Sequence, residues 1–111
     1  MGYDVDDEKI NEVVAKSKMY GMIVLERGPR YVETKMIMPA HATYWIRMKE
    51  DGLVLTNGPV FDDTNIVGMG VFRSDDLEAI KELMDADPGV ISGRFRYRMM
   101  RFRGVPGDRL E

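Results

Sequence analysis

The longest nearly unbroken apolar stretch, MYGMIVLE from Met19 to Glu26, closes on Arg27-Gly28-Pro29. That is the pattern of a strand buried on both faces and ended by a turn. Ahead of it, Asp4, Asp6, Asp7 and Glu8 precede Ile10, Val13 and Val14 at helical spacing, with the acids at the end a helix dipole favours, so a short helix is expected before Lys18. Pro39 suits a first helical turn and Gly52 a stop, which predicts a helix over 39–51. The segments 52–60 and 66–73 read as strands joined through the polar turn Asp62-Asp63-Thr64-Asn65. A hairpin centred on Asn57-Gly58 competes, but it shortens the first arm and puts Pro59 straight into the second. Ser74 and Asp75 read as caps of a helix with Glu78 three residues after Asp75, and Leu77, Ile80, Leu83 and Met84 form its apolar stripe. Asp87-Pro88-Gly89 ends it. The last strand is RFRYRMM over 94–100, continued by Arg101, Phe102 and Arg103, before a tail marked by Gly104, Pro106 and Gly107.

Strand, helix, strand, strand, helix, strand is the ferredoxin-like βαββαβ order of an α+β domain, here with a helical extension in front. The expected organisation is an extension over 1–18, a domain over 19–104 and a tail over 105–111. Both main helices would cover one face of an antiparallel sheet. The other face, expected to carry Ile66 and Phe72, then needs a cover, and a homodimer with two sheets face to face supplies one.

Alternation along 66–73 sets Gly68 and Gly70 on one face with Ile66 and Phe72. Two glycines leave empty volume, read either as a cavity floor on the face away from the helices or as a bulge or close backbone approach. On the last strand Arg94, Arg96 and Arg98 share a face opposite Phe95, Tyr97 and Met99. The parity puts Arg101 and Arg103 with the aromatics unless a bulge near Met99 and Met100 resets it. Such a row can clamp an anionic substrate, hold single-stranded RNA, or simply keep an edge strand soluble. The strand IVGMGVFR lacks the leading basic residue and spaced aromatics of an RNA-recognition motif, which argues against nucleic acid as a partner.

Composition narrows the chemistry. The 111 residues hold 16 Lys and Arg against 19 Asp and Glu, a net charge of −3, with 44% apolar and 32% charged residues. This is an ordinary globular balance with room for one domain. The absence of cysteine removes disulfides, thiolate nucleophiles and Cys-ligated metals, and a single histidine removes His-pair sites within a chain. No metal and no cofactor is therefore expected. The start MGYDVD has no basic or Arg-rich targeting pattern, and no apolar run is long enough to span a membrane, so a cytoplasmic location is expected.

The lone histidine, His41, falls in the same stripe as Ile37, Tyr44 and Met48 at about 100° per residue. It would face the sheet from the first turn of its helix. A neutral imidazole in a half-buried site is a competent general base, and the alternative is a core histidine satisfied by backbone. Asp87 is its natural partner, following a helix packed beside the first, and a carboxylate on one ring nitrogen would orient the base. The alternative for Asp87 is a helix-end turn. Acid–base chemistry is the catalysis this residue set supports. Gly58, Pro59, Tyr44, Gly68, Gly70 and Arg96 are candidate substrate contacts.

The segment PAHATYW (39–45), Gly52 and Leu53, the Gly58-Pro59 pair, LMDADPGV and GRFRYRM together resemble the YCII-domain (YciI-like) family over roughly Tyr20 to Phe102. The resemblance implies the dimeric α+β barrel shared with muconolactone isomerases, and a pocket in each subunit whose histidine and aspartate are His41 and Asp87. Gly58 and Pro59 would shape the pocket rim. The enzymatic assignments in that family are eliminations or isomerisations on small ring compounds, such as dehydrochlorination of chlorinated hydroxyquinols. The expected function is metal-free proton transfer by a His–Asp pair, of lyase or isomerase type, on a small cyclic or anionic molecule. The competing expectation is a non-catalytic small-ligand-binding or accessory module of the same fold.

Overall fold

The computed structural model describes Gly2 and residues 4–111; Met1 and Tyr3, part of the expected extension over 1–18, lie outside the described residues. The chain runs α1 (Asp7–Lys16), β1 (Lys18–Arg27), a 3-10 turn (Lys35–Ile37), α2 (Met38–Glu50), β2 (Val54–Pro59), β3 (Ile66–Phe72), α3 (Leu77–Asp85), α4 (Pro88–Ile91) and β4 (Phe95–Gly104). The four strands form one antiparallel sheet in the order β2-β3-β1-β4. This is the ferredoxin-like arrangement with the apolar strand β1 in the middle, as its two-sided burial requires.

The β1–β4 ladder is uninterrupted from Lys18↔Gly104 to Arg27↔Phe95. No bulge resets the parity at Met99 and Met100, so Arg101 and Arg103 do share the face of Phe95, while Met100 and Phe102 share that of Arg96 and Arg98. Arg94 stands before the strand and is buried. Its guanidinium donates to the Tyr31 carbonyl and lies 4.2 Å from the centre of the Tyr31 ring, so it does not continue the exposed row.

The core lies between the sheet and α2, α3, where Ile23, Phe72, Ile80 and Met84 are almost wholly sealed from water. Each such side chain contributes about 1.5–3 kcal/mol relative to exposure. Two expectations are corrected here. Phe72 belongs to this helix-covered core, and the Gly68–Gly70 face lies beneath the helices, not away from them. The reason is register: Gly70 pairs with Ile23 of the core, and a Cβ on Gly70 would lie 2.6 Å from the Trp45 ring of α2. The opposite face carries Tyr20, Met22, Val24, Met69 and Val71, with no main helix over it, and the tail after Gly104 borders one end.

The Asn57-Gly58 hairpin does not form, because both residues pair along β3, opposite Gly70 and Met69. Pro59 is tolerated because β2 is an edge strand. The cap of α3 is Asp76, one residue later than the Asp75 expected from sequence. Its carboxylate accepts from the Glu78 and Ala79 backbone N–H groups. The one-turn helix α4 was not anticipated: Asp87 caps it and Pro88 fills its first turn, a pairing that favours helix initiation.

Candidate functional site: a His–Asp pair beside a cavity

Three donors converge on one buried carboxylate. Asp87 has no exposed side-chain surface, and His41 only 12%. His41 Nδ1 stands 2.9 Å from both Asp87 oxygens, Trp45 Nε1 donates to Oδ2 at 2.9 Å, and the Gly89 N–H donates to Oδ1 at 2.8 Å. Local structure explains the convergence. His41 and Trp45 are one helical turn apart, so α2 presents both on the same face. Asp87 is fixed by its own capping of α4, whose start holds Gly89 against the imidazole. A Cβ on Gly89 would lie 2.8 Å from His41 Nδ1 and 2.7 Å from the Phe95 ring, so this approach needs glycine.

A carboxylate only accepts, so Nδ1 carries a proton in either charge state of the ring, and a neutral His41 has its lone pair on Nε2. Among the described residues Nε2 has no hydrogen-bond partner, and it is not sealed from solvent. The Phe95 ring lies 4.8 Å from the imidazole, centre to centre.

His41 lines a cavity of about 530 Å³ between α2 and the β2–β3 end of the sheet, within the usual range for small-molecule sites. Leu25, Trp45 and Phe95 wall it, Gly58, Pro59 and Gly68 shape its sheet side, and Asn57 adds an amide. Lys49 and Glu50 of α2 also line it.

Of the residues singled out from sequence, His41, Asp87, Gly58, Pro59 and Gly68 are thus brought together. Gly70 is covered by the Trp45 ring instead of lining the cavity. Tyr44 points to α3, where its hydroxyl donates to the Leu83 carbonyl at 2.7 Å. Burial first, then the Asp87 charge, holds that phenol's pKa above the ordinary tyrosine value. Arg96 lies on the helix-free face, 65% exposed and 3.9 Å from Glu26, outside the cavity. Sequence reasoning missed Trp45 as a donor to Asp87, although its spacing of four from His41 was the available signal. It also missed Asn57, Lys49 and Phe95, for which no local signal exists because a long-range register places them.

The YCII-related domain family matches residues 19–103, the whole of the sheet and its helices apart from the last residue of β4 and the start of β1. The chain belongs to this family. No curated protein matches this YCII-related chain at a significant level. Among solved structures it is similar to 5-chloro-2-hydroxyhydroquinone dehydrochlorinase from Burkholderia phenoliruptrix, in complex with 2,5-dihydroxybenzoquinone. That likeness has 16% identity, covers 75% of this chain and 92% of that one, and has a TM-score of 0.59. A fainter likeness is to a dimeric ferredoxin-like protein from an uncultured marine organism, at 12% identity, 85% and 99% coverage and a TM-score of 0.38. At such identities the first likeness establishes the shared fold, and the second adds nothing to it.

Proposed function

We propose that this YCII-related protein is a homodimeric acid–base enzyme in which His41 moves a proton on a small cyclic organic molecule, in a lyase or isomerase type of step. The observation that carries the reading is the engagement of Nδ1 by the buried Asp87 carboxylate, which leaves Nε2 as the nitrogen available to a ligand in the cavity. Nε2 takes a proton from an acidic C–H or ring O–H. The electron pair left behind forms a double bond as a leaving group departs as an anion, or it accepts the proton back at another carbon. Asp87 offsets the positive charge that the ring gains. Asn57 and Lys49, which line the same cavity, are the candidate donors to a developing oxyanion. The aromatic and aliphatic walls suit a flat ring. The dehydrochlorinase that shares the fold, solved with a dihydroxybenzoquinone, supports ring compounds as the first class to try.

The test is deuterium exchange and turnover, including halide release, with hydroxylated and chlorinated aromatics and with lactones in heavy water. Wild type is compared with His41→Ala. The expected loss is about 100-fold or more, the usual contribution of a general acid–base. Ligand binding without any His41-dependent exchange or turnover would instead establish a non-catalytic small-ligand module. Light scattering at micromolar concentration checks the dimer, and a monomer mass there removes it from the reading.

A further inference from the structure

Helix α1 is fully formed yet has no surface to lie on. Asp6 caps it by accepting from the Lys9 N–H at 2.9 Å, Asp7 and Glu8 occupy its first turn and Lys16 its last, all in the sense the helix dipole favours. Ile10, Val13 and Val14 nevertheless form an apolar stripe that is 46–52% exposed, and no residue of α1 is buried. Its link to the body is at the hinge, where Arg103 donates to Ser17 Oγ at 3.0 Å. The radius of gyration is 16.5 Å, against about 13 Å for a compact chain of this length, as expected when an arm projects. A ten-residue helix is marginal in water on its own, so α1 needs tertiary cover.

Charge identifies the cover. The arm carries Asp4, Asp6, Asp7, Glu8 and Glu12 against Lys9 and Lys16, whereas β4 carries Arg96, Arg98, Arg101 and Arg103 and no acid. Within one chain these charges are only thinly matched. Arg96 and Arg98 share Glu26 at 3.9 and 3.6 Å, Arg101 meets Asp75 at 3.8 Å, and no arm acid pairs with β4 among the described residues. Arg101 and Arg103 stand at the arm's own end of the sheet, whereas Arg96 and Arg98 stand toward the other end. The arm leaves β1 at Lys18, opposite Gly104, while Arg96 and Arg98 stand opposite Glu26 and Val24.

We propose that α1 is an assembly arm, which seats its apolar stripe and its acids on the Arg96 and Arg98 end of β4 in a second copy of this chain. The proposal rests on the homodimer put forward above. A two-fold axis that stacks the helix-free faces with strands reversed lays each acidic arm over the other copy's basic end, so one contact is made twice. The same acids oppose docking on an anionic membrane surface.

The absence of cysteine makes single-cysteine variants clean reporters. Full-length Val13→Cys and Arg98→Cys proteins are mixed, allowed to exchange subunits and treated with a short bismaleimide. A 13-to-98 cross-link between copies is expected, and it should fade as salt is raised. Met100→Cys alone serves as the control for sheet-to-sheet contact. Val13→Glu should weaken self-association by about tenfold or more in a sedimentation dilution series, with an unchanged far-UV spectrum for the body; Val13→Ser provides a milder second variant. Three results would overturn the arm. A Met100 link formed without the 13-to-98 link, or self-association unchanged by Val13→Glu, removes the arm and leaves the homodimer standing. A monomer at every concentration removes the arm and the homodimer together, while the His41 exchange assay reads the chemistry separately.

Discussion

Replacing Asp87 with asparagine keeps the side chain's shape and removes one of the two oxygens on which His41, Trp45 and Gly89 converge. The remaining carbonyl can still cap α4 by accepting from the Gly89 N–H, since asparagine is a good N-cap. The new amide group then points N–H donors at the Trp45 indole or the His41 Nδ1–H. A hydrogen bond to a charged acceptor contributes about 1.5–3 kcal/mol, and this substitution weakens or breaks more than one of them. Asp87→Asn is therefore expected to lose about 3–5 kcal/mol. At about 4–8 °C per kcal/mol for a domain of this size, the melting point should drop by about 12 °C or more. Urea denaturation followed by circular dichroism, at one fixed protein concentration, measures the loss. Trp45→Phe removes one donor and keeps most of the ring. Because it acts on the same carboxylate, the double variant should lose less than the two single losses added, with a coupling of about 0.5–3 kcal/mol. A loss below about 1 kcal/mol for Asp87→Asn, or strict additivity in the cycle, would refute the claim that these groups act as one buried unit.

Gly70→Ala is expected to cost about 1–3 kcal/mol by overpacking, because its Cβ would lie 2.6 and 2.8 Å from two atoms of the Trp45 ring. The emission of the single tryptophan should shift with it, and unchanged stability and emission would contradict the register. Two pH effects follow from the cluster in which Lys81 and Tyr97 both donate to Asp85 at 2.6 Å. The Lys81 and Tyr97 hydrogen bonds hold the Asp85 carboxyl below its ordinary pKa, so its contribution is complete above the ordinary carboxylate range and is lost as pH falls through the lower folded value. Burial, with Asp85 beside it, pushes the Tyr97 phenol up to about 12. That contribution is complete below the ordinary tyrosine value and is lost as pH rises toward about 12. Tyr97→Phe should flatten the alkaline limb of a stability–pH curve, and an alkaline limb identical to wild type would show that this phenol is not its source.

Much of the fold was legible because its signals are local. The run around β1, Pro39 at the start of α2 and the stripe Leu77, Ile80, Leu83, Met84 each specify an element without help from the rest of the chain. The partnership of His41 with Asp87 was legible as well, through the packing of two helices on one sheet face. What escaped the sequence depends on register. Alternation puts Gly68 and Gly70 on a common face but cannot say which face α2 covers; the pairing of Gly70 with Ile23 decides it. Tyr44 shares the stripe of His41, yet its hydroxyl donates to the Leu83 carbonyl near the end of α3, which also accepts from the Ala86 N–H. Arg96 reads as an anion clamp by composition, and the strand turns it to the face opposite the cavity. The helix α4 was hidden because Asp-Pro ends one helix as readily as it begins another.

The proposed chemistry needs one imidazole held by Nδ1 and open at Nε2, and a single histidine makes this directly observable. In a long-range proton–nitrogen correlation spectrum of uniformly 15N-labelled protein, at a pH where the ring is neutral, only His41 contributes. The predicted result is a protonated Nδ1 and an unprotonated Nε2, with Asp87→Asn losing that tautomer preference and an aromatic ligand shifting Nε2 alone. A neutral ring protonated at Nε2, or a tautomer indifferent to Asp87→Asn, would contradict the account.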